Sequence, residues 1–321
     1  MRGSFMDGLP LSRSAVDRDA PTRDRPGALE EAWADPGTRV VVLRGERALF
    51  APAGERPRLA LLQPSELPEP ELVVYLGRLL EDSPEGPAGT PVLATALSAA
   101  AAESLQVPEE RWADLRLDGA ELDARDAGLF TQALGLANWH RTHGHSPRSG
   151  VATVPGRSGW VRYPEGHEHE SSGEHVFPRT DPAIIVGVVD ATDRLLLASN
   201  VAWPDDRFSV VAGFVEPGES FEAAVRREVF EETAVRVADV QYLGSQPWPF
   251  PASIMVGFLA DADPQGAEAV PDGEEIREAR WFTRDELRDA ASTGTVRLPG
   301  RTSIARAIIE HWYGGRLEGD W

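Results

Sequence analysis

The sequence predicts an α/β protein, in which an α/β/α sandwich domain with a mixed sheet follows a smaller α+β domain. Three observations indicate this arrangement. From residue 183 onward, short apolar segments such as AIIVGVV alternate with segments of helical periodicity. Residues 39–79 hold several short apolar runs separated by turn residues, which is typical of neighbouring strands. The chain of 321 residues is also long enough for two hydrophobic cores.

Four segments are expected along the chain. Residues 1–28 mix arginine and aspartate with proline, glycine and serine, and are predicted to form a disordered tail. Residues 29–138 form the α+β domain, with a strand hairpin around Gly45 and helices in TALSAAAAESL and over residues 121–140. Residues 139–181 form an irregular linker, and residues 182–316 form the sandwich domain.

The sandwich domain is predicted to contain six strands, at residues 183–189, 195–198, 208–212, 240–244, 254–259 and 279–282. The segment at 254–259 is expected to be a central strand. Three helices are expected over residues 220–233, 285–291 and 303–313, and Gly314 can end the last of them.

The linker holds six of the seven histidines: His140, His143, His145, His167, His169 and His175. Because imidazole suits zinc, a histidine metal site is one interpretation of this region. No spacing among these residues reproduces a known set of histidine ligands, so solvated loops are the simpler interpretation.

Composition narrows the class of protein. The chain has no cysteine, which excludes disulfides and cysteine-based zinc sites, and it lacks an apolar N-terminal run, so we expect neither a signal peptide nor a membrane span. A cytoplasmic protein is therefore expected. The net charge of −20 opposes unaided binding to a nucleic-acid backbone.

The segment 213–235, GFVEPGESFEAAVRREVFEETAV, concentrates acidic residues on one helix. Ser220 is a suitable N-cap for a helix that runs to about Thr233. Glu228, Glu231 and Glu232 are spaced so that their carboxylates emerge on neighbouring parts of one helix face. Because Mg²⁺ takes oxygen ligands and binds through carboxylates and substrate phosphates, this face predicts a metal site. An ordinary acidic surface helix is the alternative.

The spacing of this segment resembles the Nudix box, the signature of hydrolases that act on nucleoside diphosphates linked to another moiety. The match includes Gly213, Glu219, Arg227 and the three carboxylates, and Ala234 stands where the family has glycine. That glycine ends the helix in a left-handed turn, so the alanine is expected to cost roughly 1 kcal/mol without removing a ligand. Arg227 is expected to pair with Glu219 and so hold the glycine-containing loop that precedes the helix against the helix itself.

A second motif, SQPWPFPAS at residues 245–253, narrows the substrate class. Proline lacks an amide donor and fixes its φ angle, so three prolines predict a stiff loop that presents Trp248 and Phe250. Aromatic faces stack on planar rings, although a proline-rich turn with aromatics in the core is the alternative. The segment is similar to the signature of bacterial NADH pyrophosphatases. That resemblance implies an Mg²⁺- or Mn²⁺-dependent homodimer that splits NADH or NAD⁺ into AMP and nicotinamide mononucleotide and, in some members, removes NAD caps from RNA 5′ ends.

The resemblance also implies roles for individual residues. The catalytic set is Glu219, Arg227, Glu228, Glu231 and Glu232, in which Glu231 or Glu232 orients or deprotonates water. The metal ligands are Glu228, Glu232, Glu275 and the backbone carbonyl of Ala212. The substrate contacts are Phe177, where relatives commonly have tyrosine, the backbone of Ala305, and the loop residues Gln246, Pro247, Trp248, Pro249, Phe250, Pro251, Ala252 and Ser253.

One departure from the family concerns zinc. Relatives carry a four-cysteine zinc ribbon between their domains, and WHRTHGHSPRSG at 139–150 resembles its first half with Ser146 and Ser149 in place of cysteines. His169 and Ser172 stand near the positions of the other pair. Because neutral serine is a poor zinc ligand, no structural zinc is expected.

Two alternatives to NAD(H) hydrolysis remain open at this point. Hydrolysis of ADP-ribose or of dinucleoside polyphosphates is one of them. A catalytically silent nucleotide-sensing module is the other alternative, although modules of that kind typically lack the box glutamates that are present here.

Overall fold

The structure is a computed structural model that describes residues 5–166 and 174–319. Its contacts group the chain into two compact units. The N-terminal unit comprises Arg13–Thr180 together with Trp248–Ala252. The C-terminal unit comprises the residues up to Ser12, Asp181–Pro247, and the residues from Ser253 onward.

The N-terminal unit contains one seven-stranded mixed sheet and a separate pair of strands. Its strands are β1 (Val16–Asp17), β2 (Arg39–Arg44), β3 (Arg47–Leu49), β4 (Leu61–Leu62), β5 (Leu72–Leu79), β6 (Pro91–Leu97), β7 (Trp112–Asp114), β8 (Thr153–Gly156) and β9 (Val161–Pro164). Its helices are α1 (Ala20–Arg23), α2 (Ala28–Ala34), α3 (Ala99–Ser104), α4 (Leu115–Asp118) and α5 (Ala124–Thr142). The sheet order is β1-β5-β6-β2-β3-β7 with β4 on β2, and β2 and β6 run parallel. Strands β8 and β9 form a separate antiparallel pair.

Local sequence signals account for several of these elements. The predicted hairpin is present as β2 and β3, joined through Gly45 at a φ of 61°. Asp123 caps α5 by accepting the amide of Asp126 at 2.8 Å. The helix predicted in TALSAAAAESL is shorter than expected, because its first residues complete β6 before Ser98 caps α3.

The C-terminal unit contains a second mixed sheet. Its strands are β10 (Asp181–Val189), β11 (Leu195–Asn200), β12 (Val211–Phe214), β13 (Val237–Trp248), β14 (Ser253–Ala262) and β15 (Ile276–Phe282). Its helices are α6 (Phe221–Thr233), α7 (Arg284–Thr293) and α8 (Ile304–Tyr313). The order is β13-β14-β10-β11-β15 with β12 on β10. The interior pair β10 and β14 is parallel, whereas β10 pairs antiparallel with β11 and β12, and β11 pairs antiparallel with β15.

Helices cover both faces of this second sheet. Successive residues of a strand point to opposite faces, so Ile184 packs in the cluster that includes α6, whereas Ile185 packs in the cluster that includes α7 and α8. Helix α6 contributes Val225 and Val229, and α8 contributes Ile308, all fully buried. This arrangement confirms the predicted α/β/α sandwich.

The predicted disordered tail is wrong for the described part of residues 1–28. Leu9 and Leu11 are 0% and 2% exposed, and Leu9 belongs to the core between the second sheet and α8. The hydroxyl of Ser12 donates to the carbonyl of Ser245 at 2.7 Å. A few apolar contacts, hydrogen bonds and the pairing of β1 with β5 hold this segment, and so few apolar residues produce no periodic pattern.

The strand before the aromatic loop is longer than predicted. Strand β13 continues through Gln246 and Pro247 to Trp248. Proline is tolerated here because β13 is the edge strand of its sheet, where a missing amide donor need not break a ladder. The irregular loop is therefore confined to residues 249–252.

Short 3-10 helices occupy Phe5–Gly8, Pro10–Ser12, Pro64–Glu66, Glu109–Arg111 and Arg157–Gly159. Across the part of the chain that the structure describes, none of the helices combines the length and apolar character needed to cross a membrane.

Candidate active site

Helix α6 positions the acidic residues of the C-terminal unit. The Ser220 hydroxyl caps its first turn by accepting the amide of Ala223 at 3.2 Å, as predicted. Its apolar side packs against the sheet, which fixes the rotation of the helix and leaves Arg227 and Glu231 on the opposite side. The helix ends at Ala234, which adopts the left-handed conformation with a φ of 58°.

Arg227 ties the glycine-containing loop to the helix, as predicted. Its guanidinium makes two hydrogen bonds to Glu219, both 2.9 Å, and a third to the carbonyl of Phe214 at 3.0 Å. It also donates to Glu228 at 2.8 Å and to Glu231 at 3.1 Å. The paired guanidinium lowers the pKa of Glu219, and the carboxylates raise the pKa of Arg227. The one guanidinium group therefore holds the carboxylates of Glu219, Glu228 and Glu231 in place.

Glu232 differs from the other acidic residues because its carboxyl group is buried, with only 7% of the residue exposed. Among the described residues, no arginine or histidine forms an ion pair with it. Burial, followed by the nearby carboxylates of Glu228, Glu275, Asp272 and Glu231, raises the pKa of Glu232 to about 8. Burial raises the pKa of Glu228 as well, although Arg227 acts in the opposite direction.

Glu275 reaches this region on a turn held to the end of α6. The amide of Asp272 donates to the carbonyl of Glu232 at 3.2 Å, and the amide of Val270 donates to the carbonyl of Thr233 at 2.8 Å. The Asp272 carboxylate accepts the amides of Glu275 and Ile276 at 3.2 and 2.8 Å. The sequence analysis did not predict Asp272 as a residue of this site. Its place in the acidic run PDGEE is the only signal for it.

Gly213 allows β12 to approach α6. A side chain at this position would place its Cβ 2.1 Å from the Cδ and Oε1 atoms of Glu228, which is far inside van der Waals contact. The glycine therefore allows the backbone of β12 at this position to lie directly against the Glu228 carboxylate.

The chemistry of these groups fits a divalent cation. Several carboxylates around a buried, unpaired glutamate repel one another, and a hard cation with oxygen ligands removes that repulsion. Within residues 5–166 and 174–319, however, no three acidic or histidine side chains converge closely enough to surround an ion. The ligand roles of Glu228, Glu232, Glu275 and Ala212 stay predictions.

Gln246 is fully buried, in contrast to the expectation of a substrate contact. Its side-chain Oε1 accepts the amide of Leu11 at 3.2 Å, and its Nε2 donates to the carbonyl of Thr302 at 2.9 Å. Both ends of the amide are thus engaged within the C-terminal unit. Gln246 holds β13 in place, and its side chain is not free to bind a ligand.

The loop that follows presents the two predicted aromatic rings. The centroids of Trp248 and Phe250 lie 4.8 Å apart in an edge-to-face arrangement. The carbonyl of Pro249 accepts a hydrogen bond from the buried side chain of Asn138 on α5, at 2.9 Å. The Phe250–Pro251 peptide bond is cis.

Arg116 on α4 lies over these rings. Its guanidinium carbon is 4.5 Å from the centroid of Phe250 and 5.5 Å from that of Trp248, within the range of cation–π contacts. Arg116 is exposed, and no carboxylate of the described chain forms an ion pair with it. Arg116 and Asn138 were missed because they lie far from the motif in sequence and no spacing links them to it.

The remaining predicted contacts lie in three places. Phe177 is exposed in the N-terminal unit, with the ring of His175 5.8 Å from its own. Ala305 is buried near the start of α8, where its amide donates to the Ser303 hydroxyl at 3.2 Å. Ala252 and Ser253 are half-buried at the start of β14, and Pro251 is exposed. Their roles toward a substrate stay predictions.

The histidine-rich region does not supply a metal site in its described part. His140 is buried, and both of its ring nitrogens are occupied, one by the carbonyl of Gly159 and the other by Arg162. No trio of potential ligands including His143, His145 or His175 is present in residues 139–166 or 174–181. His167, His169 and Ser172 lie outside the described residues.

Comparisons with known proteins cover both units. Residues 178–299 match the NUDIX domain, and residues 37–139 match the NADH pyrophosphatase-like rudimentary NUDIX domain. The chain is 41% identical over 310 residues to proteins named NAD-capped RNA hydrolase NudC from Mycobacterium bovis and Mycobacterium tuberculosis, with 94% of this chain and of each relative covered. It is 39% identical over 200 residues to NAD-capped RNA hydrolase NUDT12 of Homo sapiens, covering 60% of this chain and 43% of that protein. With a match along nearly the full length of the mycobacterial proteins and the box residues gathered on α6, the chain belongs to the Nudix hydrolase family, together with the NudC proteins.

Proposed function

We propose that this chain hydrolyses the pyrophosphate bond of NADH and NAD⁺ to AMP and nicotinamide mononucleotide, and that it removes NAD caps from RNA 5′ ends. The observation that carries the proposal is the buried Glu232 carboxyl among acidic neighbours on the box helix, in a chain 41% identical to hydrolases named for NAD-capped RNA. The acidic residues crowded around Glu232 favour a divalent cation, and the relatives indicate the substrate.

The cation would be Mg²⁺ or Mn²⁺, which supplies charge neutralisation at the diphosphate and activation of water. Glu228, Glu232, Glu275 and the carbonyl of Ala212 would hold it. Arg227 acts on these groups indirectly: its bonds to Glu219 and Glu228 fix the loop and one carboxylate before substrate binds.

The general base is Glu231 or Glu232. Glu231 is exposed and shares Arg227 with Glu228, whereas Glu232 is buried and has a raised pKa. A glutamate that only binds metal and a glutamate that accepts a proton differ in the pH profile of their glutamine variants. In the unmodified protein, kcat should fall at low pH as the base becomes protonated. The base is the glutamate, Glu231 or Glu232, whose glutamine variant no longer shows this fall.

The aromatic loop would bind the planar parts of the substrate. Trp248 and Phe250 offer ring faces or edges for stacking, a contact of about 1–3 kcal/mol per base. Arg116 adds a positive charge beside them in a chain of net charge −20, so it is suited to a substrate phosphate. Phe177 would contribute a further aromatic wall without the hydroxyl of a tyrosine.

The test is product analysis after incubation with NADH and Mn²⁺. We expect AMP and reduced nicotinamide mononucleotide in equal amounts, and a fall in kcat of about a hundredfold or more for Glu232→Gln. Glu222→Gln is the matched control, because Glu222 lies on the exposed first turn of the same helix. Full metal-dependent turnover by Glu232→Gln would refute the assignment.

Parallel reactions separate the alternatives. Faster hydrolysis of ADP-ribose or diadenosine polyphosphates than of NADH would place the chain elsewhere in its family. Tight binding of NADH without hydrolysis under either metal would indicate a silent module. Release of nicotinamide mononucleotide from NAD-capped RNA tests the RNA activity directly, and light scattering tests the homodimer that we propose from the family resemblance.

A further inference from the structure

Relatives in the family carry a zinc ribbon between their domains. In the corresponding region of this chain, two serine hydroxyls bond to the carboxylate of Glu174. Ser146 and Ser149 stand on a tight turn directly after α5. The Ser146 amide donates to the carbonyl of Val151 at 2.8 Å, and the Gly150 amide donates to the carbonyl of Ser146 at 2.9 Å. Gly150 has a φ of 74°, which a residue with a side chain rarely adopts. The turn thus brings both serine hydroxyls to one side.

Both hydroxyls bond to the same carboxylate. Ser146 Oγ and Ser149 Oγ each donate to Oε1 of Glu174, the second at 2.8 Å. Ser146 Oγ also accepts the amides of Arg148 and Ser149 at 3.1 and 3.2 Å, so this hydroxyl, on a residue only 3% exposed, is fully hydrogen-bonded.

These donors do not fit zinc. A zinc site needs several thiolate, imidazole or carboxylate ligands, whereas here a single carboxylate lies beside two neutral hydroxyls, which keep their protons and donate hydrogen bonds to it. Hydrogen bonds to an ionised acceptor are roughly twice as strong as neutral ones. One carboxylate with two hydroxyl donors therefore joins the turn after α5 to the segment that begins at Glu174.

Glu174 begins the segment that pairs with β9. Val176 exchanges two backbone hydrogen bonds with Arg162, and the ring of His175 packs between Tyr163 and Phe177 at 5.1 and 5.8 Å. The hydrogen bonds to Glu174 consequently hold one end of a short segment whose other end carries the exposed ring of Phe177.

We propose that the Glu174 carboxylate, bonded to Ser146 and Ser149, replaces a metal ion as the cross-link of this region and positions the segment that carries Phe177. The cross-link itself is independent of the enzyme's activity, whereas the positioning of Phe177 for substrate rests on the proposed function. Glu174 is in this sense a positioning residue.

The first experiment measures metal and stability in the full-length protein. Elemental analysis should find zinc far below one atom per chain, and a zinc-selective chelator with excess Mg²⁺ should leave the melting temperature unchanged. Glu174→Ala should lower the melting temperature by about 4–8 °C, Glu174→Gln by less because its carbonyl oxygen still accepts, and Glu165→Ala, an exposed acidic neighbour, not at all. Stoichiometric zinc, or equal melting temperatures for Glu174→Ala and Glu165→Ala, overturns the cross-link.

The second experiment measures kinetics with NADH. Glu174→Ala should raise KM by roughly threefold to tenfold with kcat nearly unchanged, because an aromatic contact is displaced and no reacting group is touched. Glu174→Gln should restore most of the KM. An unchanged KM in Glu174→Ala overturns the positioning role. If the unmodified protein does not turn over NADH, the proposed function fails while the metal and stability measurements still decide the cross-link.

Discussion

His140 allows a quantitative test of how the end of α5 is packed. Its Nε2 lies 2.8 Å from the carbonyl of Gly159, and its Nδ1 lies 2.7 Å from the guanidinium of Arg162. A carbonyl only accepts and a guanidinium only donates, so Nε2 carries the proton and Nδ1 the lone pair. Burial, with Arg162 adding to it and the Gly159 hydrogen bond opposing it, lowers the pKa of His140 from 6.5 to about 4.

The sign of the resulting pH dependence follows from this pKa. The unfolded chain takes up a proton on His140 near pH 6.5, whereas the folded protein resists it until about pH 4. The stability that the neutral imidazole contributes is therefore present above pH 6.5 and is lost as the pH falls toward 4. Between pH 7 and pH 5 the loss is about 2 kcal/mol, or roughly 4–8 °C in melting temperature.

The comparison protein is His140→Gln. A glutamine amide can accept from Arg162 and donate to Gly159, yet it does not titrate. Melting temperatures at pH 7 and pH 5 include the same carboxylate titrations in both proteins, so their difference isolates the imidazole. The unmodified protein should lose about 4–8 °C more than the variant, and an equal loss in the two would refute a buried neutral His140.

Three further substitutions test other parts of the structure. Gly213→Ala should reduce kcat by about tenfold or more with the circular dichroism spectrum retained, because the new Cβ displaces the Glu228 carboxylate; unchanged kcat would contradict the close approach. Ala234→Gly should stabilise the protein by about 1 kcal/mol in urea unfolding, since Ala234 has a positive φ; a loss of stability would argue against the left-handed cap. Leu9→Ala should cost about 2–5 kcal/mol in the same assay, whereas a disordered N-terminus predicts no change.

Sequence reasoning succeeded where the determinants are local. The helix α6 is specified by a cap at Ser220 and an apolar side at helical spacing, both within one short segment. The pairing of Arg227 with Glu219 follows from the same segment, because the loop and the helix it joins are neighbours in the chain. The left-handed residue at Ala234 was likewise predicted from the position of a missing glycine.

Several of the misses involve contacts between segments that are distant in the sequence. Leu9 packs in the core, although the sequence around it has no periodic apolar pattern that would predict its burial. Arg116 and Asn138 reach the aromatic loop from α4 and α5, and their own surroundings in sequence carry no motif. Gln246 lies within a motif that predicts binding, but the structure uses its amide to hold the protein's own backbone. The substrate-binding role of the rest of the loop stays a prediction, whereas a ligand contact by the Gln246 side chain is excluded by its burial.

The division of the chain between its units bears on how the enzyme can be dissected. The polypeptide leaves the C-terminal unit after Ser12, returns at Asp181, and crosses again on either side of Trp248–Ala252. A fragment beginning at residue 182 would contain every box glutamate but would lack Leu9 and the backbone partner of Gln246. It would expose an apolar gap and an unpaired buried amide, which favours aggregation over folding. We therefore expect the catalytic sandwich to be obtained in soluble form only when the first dozen residues are supplied with it, fused or in trans.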